Sequence, residues 1–211
     1  MTIPQTAFGP QIVANQAKAL VLAGWSSVCD AAWLKAMGAP NLPAPAAANI
    51  YTSRHALFTA ETQPAIGLSV MSSSATITDT LGAMDQVHEL EIVVCSDWGF
   101  YNQFGQVEPL VQATPPDPAI PFTEEVYETA LRAYVEGIVL ILCSSVTGFI
   151  NLDARNVNTP NWPGTGIYNA SPYLGIAPQD FVIGQDDTGQ TLIQQTVRAS
   201  IQVYQRRSLA G

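Results

Sequence analysis

The chain has 211 residues, of which 47% are hydrophobic and only 12% charged, with a formal net charge of -9. Folded as one unit, a chain of this length buries roughly 70% of its extended surface, so it needs neither disulfides nor a metal to hold a core. Its acidity excludes a broad nucleic-acid-binding face, because a surface without clustered cations gains nothing from counterion release.

The charge is unevenly spread. After Asp30, every acid lies between Glu61 and Asp187, a span in which Arg132 and Arg155 are the only bases. Arg198, Arg206 and Arg207 form the one basic group near the C-terminus. They are placed either to dock on an acidic partner surface or to keep a terminal strand soluble. A charged fraction so far below the roughly 25% of an ordinary soluble domain leaves much of the surface to Ser, Thr, Gln and Asn, or to contact with partners.

Cys29, Cys95 and Cys143 are odd in number and far apart, with no CxxC pair. They read as small buried hydrophobes in a reducing compartment, and no zinc site is expected. Met1 to Pro10 lacks the positive start and apolar core of a signal peptide. Ile138 to Cys143, the longest apolar run, is too short to cross a bilayer. The expectation is a cytosolic product without a membrane partner. On that route the sequon Asn169-Ala170-Ser171 has no use.

In chain order, Gln11 to Met37 is Ala-rich with few breakers and predicts a long first helix, with Ile12, Ala19, Leu22, Val28, Ala32 and Ala36 as its apolar stripe. Gly38 and Pro40 end it, while Gly24 and Trp25 mark a place for a kink or a division into two helices. Pro40 to Ala48, with three prolines, reads as a turn or short linker. Strands are predicted at Ala65 to Met71, at Ala75 to Thr78 and at Val87 to Val94. In the last of these Leu90, Ile92 and Val94 share one face, and Glu89 and Glu91 the other.

Pro109, Pro115, Pro116, Pro118 and Pro121 make Trp98 to Pro121 a long loop. A second helix follows, capped by Thr123, with Glu124, Glu125 and Glu128 at its positive end and Tyr127, Leu131, Tyr134, Ile138 and Ile141 spaced to face a core. Gly137 lies within that helix and marks a point of close packing. Asn151 to Pro178, rich in Asn, Pro and Gly, reads as another long loop. From about Gln194 to Arg206, Val197, Ala199, Ile201 and Val203 alternate with polar residues as a closing strand. The predicted fold is therefore α+β: a small, mostly antiparallel sheet packed by a long N-terminal helix and a second helix. It forms one domain over residues 1–211, with long loop insertions at about 98–121 and 151–178.

Candidate chemistry does not assemble from these elements. Gly67-Leu68-Ser69-Val70-Met71 lacks the second glycine of a hydrolase nucleophile elbow. His55 and His88 are the only histidines, and His88, beside Glu89 in a predicted strand, reads as a surface or interface residue. Asp186-Asp187-Thr188-Gly189 holds an Asp-Thr-Gly string, but ordinary turn chemistry accounts for it and no second copy exists. No phosphate-cradling glycine loop, helical His-Glu-x-x-His or calcium loop is present. The reading predicts no enzyme, no catalytic residue, no cofactor and no metal.

What remains is the order of elements: a long helix, a meander ending in Val87-His88-Glu89-Leu90-Glu91-Ile92-Val93-Val94, the helix from Thr123, and the closing strand Val197 to Tyr204. That layout resembles the tail terminator proteins of tailed bacteriophages, in which an alternating apolar and acidic third strand and a closing strand like Arg198-Ala199-Ser200-Ile201-Gln202-Val203-Tyr204 recur. The resemblance covers most of the chain and is one of layout rather than of invariant residues. It implies a structural virion protein, assembled in the host cytoplasm, that forms a homohexameric ring capping the tail tube, ends tail elongation and joins the tail to the neck and head.

Its implied partners are itself, the tail tube protein, a neck or connector protein and, as a further candidate, the tail sheath protein, with DNA only as cargo passing through the lumen. Glu89, Glu91 and the acids of the Glu124 helix are the candidates for lining that lumen. At 211 residues the chain is long for the family, and segments 98–121 and 151–178 read as insertions. Neck connector and tail-completion proteins share the layout and are the alternative within the structural class. From another class, a small-molecule binding module or an unrecognised hydrolase would need a deep pocket around His55 or His88.

Overall fold

A computed structural model of the chain describes residues 9–39, 42–53, 64–77, 83–97, 124–144, 148–149, 167–172, 177–185 and 191–208. Its helices are α1 (Pro10–Val28), α2 (Ala31–Ala36) and α3 (Glu124–Cys143). Its strands are β1 (Ile50–Tyr51), β2 (Ala65–Ile77), β3 (Ala83–Asp97), β4 (Ile167–Pro172), β5 (Ala177–Gln185) and β6 (Thr191–Ser208). The class is α+β, as the alternation of helical and strand patterns predicts.

The N-terminal helical region divides, but not at Gly24, which is buried within α1. The break falls at Cys29 and Asp30. Cys29 N–H closes α1 on Trp25 O at 2.8 Å, and the Asp30 carboxylate accepts from Trp33 N–H at 2.8 Å to start α2. Asp30 ends one helix because its side chain offers the next one a cap. Gly38, with φ 74, then closes α2: Gly38 N–H donates to Lys35 O and Ala39 N–H to Leu34 O, the paired bonds of a Schellman motif.

The stripe predicted for α1 is displaced. Val13, Ala14, Ala17, Val21, Gly24 and Trp25 face inward, while Ala19, Leu22, Ala32 and Ala36 are exposed. Alanine fills several faces of this helix, so the small residues do not report the inward side; the larger Val13, Val21 and Trp25 do.

The six strands form one sheet in the order β1, β2, β3, β6, β4, with β5 also paired to β6. Only the short β1 to β2 contact is parallel. β2 runs unbroken through Ser72-Ser73-Ser74, where two separate strands were expected, with a register shift between Val70 and Ser72. β6 is the spine. One side pairs with β3 from Ala83↔Ser208 to Asp97↔Gln194. Its other side carries β4 along Ile201 to Gln205 and β5 along Thr191 to Arg198, so the two short strands lie end to end on one edge.

β4 and part of β5 fall within 151–178, where a loop insertion was predicted, and this is a correction. Pairing with β6 overrides the weak strand propensity of Asn169, Pro172 and Pro178, because an edge strand needs to donate only on its inner side. The predicted insertion at 98–121, the Thr123 cap, His55 and Asp186 to Gly189 lie outside the described residues.

Helices α1 and α3 pack on the face of the sheet that carries Leu90, Ile92 and Val94 from β3, Ile66 and Leu68 from β2, and Val197, Ala199, Ile201 and Val203 from β6. These residues share one core with Leu131, Tyr134, Ile138 and Ile141, the predicted inner face of α3. The helices meet where Trp25 and Tyr134 approach with ring centroids 5.5 Å apart. Gly137 makes that approach possible: a Cβ there would stand 2.6 Å from Cys29 Sγ and 3.1 Å from the Trp25 ring.

Two polar side chains tie the connecting segment down. Tyr134 Oη donates to Pro43 O at 2.9 Å, and Lys18 Nζ donates to Ala47 O and Ile50 O at 2.8 and 2.6 Å.

Candidate assembly interface

The side of the sheet away from the helices is where the acids of β3 emerge. Its first part is apolar, with Ala65, Val93 and Cys95 buried beside the half-buried Tyr51. Beyond that the surface turns polar, and its side chains are bonded across and along the strands. Arg198 Nη1 lies 3.5 Å from Glu91 Oε1, with 31% and 13% of the two side chains exposed. Ser72 Oγ donates to Glu89 Oε2 at 3.1 Å, and Tyr204 Oη to Gln202 Oε1 at 2.9 Å. Glu89 is exposed, so of Glu89 and Glu91 it is the one turned to solvent.

The proposed lumen acids therefore differ from one another. Glu91 is half-buried against an arginine of the neighbouring strand, which offsets its charge, whereas Glu89 keeps an open carboxylate. Glu124, Glu125 and Glu128 occupy the first turns of α3, on a different element. Arg198 turns its charge toward Glu91 within its own sheet.

His88 is a correction. Its side chain is fully buried on the helix-covered face rather than at the surface, because it shares the parity of Leu90 and Ile92, and its Nδ1 lies 2.8 Å from Ser73 Oγ. Ser69 sits in the middle of β2, paired with Glu91, with no turn to present it as a nucleophile.

Cys29 and Cys95 are buried and Cys143 half-buried, and none of the three is in a disulfide. Burial, with Asp30 adding to it, pushes the Cys29 thiol up to about 12, and burial alone raises Cys143 to about 11. Such thiols are poor nucleophiles. Among the described residues no three His, Cys, Asp or Glu side chains gather as a metal site. Among the same residues no helix is long and apolar enough to cross a membrane.

Two features of the sheet escaped sequence reasoning: the length of β2 and the presence of β4 and β5. The signal for the first was available, since Ser69 to Ile77 contains no proline, glycine or charge to stop a strand. Met71 to Thr76 are exposed whichever face they occupy, so this half of β2 has solvent on both sides. The dimensions agree. The 20 residues of α3 span about 30 Å, whereas the 18 residues of β6 reach roughly 55–60 Å, so the sheet outruns its helical cover. No family model matches this chain, and no curated protein matches it either.

Proposed function

We propose that this chain is a structural virion protein of the tail-terminator kind: a ring, built from copies of itself, that caps the phage tail tube, ends tail elongation and joins the tail to the neck. One observation carries the reading. The chain has a long N-terminal helix on a mostly antiparallel sheet, a second helix after the acidic strand and a long closing strand, and it is on this order of elements that the resemblance to that family rests.

The surface chemistry supports assembly rather than catalysis. Few charges, a sheet that extends past its helices and high-pKa buried thiols give subunit contact a large uncharged area and leave no activated nucleophile among the described residues. In such a ring the tail tube protein lies on one side and a neck protein on the other, and exposed acids such as Glu89 let DNA pass without adhering.

Light scattering over a range of concentrations tests the reading. The expected result is a species near six times the 22.5 kDa chain mass, with a central hole visible by electron microscopy. A monomer at every concentration that also fails to bind purified tails defeats it.

A further inference from the structure

We draw no further inference here: the strongest candidate, the outer edge of β2 from Leu68 to Ile77, which pairs with no strand among the described residues past Tyr51↔Gly67 and is exposed from Met71 to Thr76, carries nothing because nothing in the structure shows what covers it.

Discussion

Replacing Gly137 with alanine sets two calculable effects against each other. In the middle of an open helix the change stabilises by about 1 kcal/mol, because alanine has less backbone freedom to lose. Here the added Cβ would stand 2.6 Å from Cys29 Sγ, with two Trp25 ring atoms at 3.1 and 3.2 Å. Ordinary contact for such atoms is about 3.5–4.0 Å, so the thiol must retreat by roughly 1 Å while the indole blocks the helix from swinging aside. Overpacking of that kind costs about 1–3 kcal/mol. The net expectation is a loss of about 1 kcal/mol, or a fall of about 2–4 °C in Tm for a domain of this size.

Thermal and urea unfolding at fixed chain concentration measure it, concentration being held constant because assembly also stabilises. In a Cys29→Ala background the same substitution should recover most of its intrinsic gain, a coupling of about 1–2 kcal/mol between the two sites. A rise in Tm on Gly137→Ala in the otherwise native chain would refute the packing argument.

Two further outcomes follow from the polar and titrating groups. Lys18→Met keeps most of the stem but leaves Ala47 O and Ile50 O without their donor, and a loss of about 1.5 kcal/mol is expected in urea unfolding. A change below about 0.5 kcal/mol would show that water replaces the ammonium at no cost. The thiols impose an alkaline limit. Their folded pKa values, about 12 for Cys29 and about 11 for Cys143, lie above the ordinary 9.0, so the folded chain holds protons that the unfolded chain releases. Their contribution is whole below pH 9.0 and is lost as pH rises toward the folded values, so the urea midpoint should decline between about pH 9 and about pH 11. Replacing both Cys29 and Cys143 with alanine should flatten that decline.

What was legible in the sequence followed from chemical contrast. The inner face of α3 was readable because Leu131, Tyr134, Ile138 and Ile141 stand against Arg132 and Glu136 on the other sides, and β3 was readable because its apolar residues alternate with Glu89 and Glu91. α1 offers little contrast: its only charged side chain is Lys18, and small alanines surround it, so the stripe was placed on the wrong side. β4 and β5 were hidden because their composition is that of a loop and their order comes from a partner strand distant in the chain. His88 was misplaced through its neighbour Glu89, although strand parity puts it with Leu90. At the candidate interface the acids were visible as residues, but the pairing of Glu91 with Arg198 depends on a strand register that no local pattern encodes.

The central position of β6 bears on how the molecule is made. It follows every other described element in the chain, yet β3, β4 and β5 all depend on it for pairing. While a ribosome is still extending the polypeptide, β2 has only β1 and β3, β3 has only β2, and the β4 and β5 segments have no template at all. Completion of the sheet waits for synthesis to reach Ser208, and contacts so distant in sequence form slowly. The edge of β5 is built only at that point. The order of synthesis thereby separates the pairing of β2 with β3 from the completion of the sheet in time.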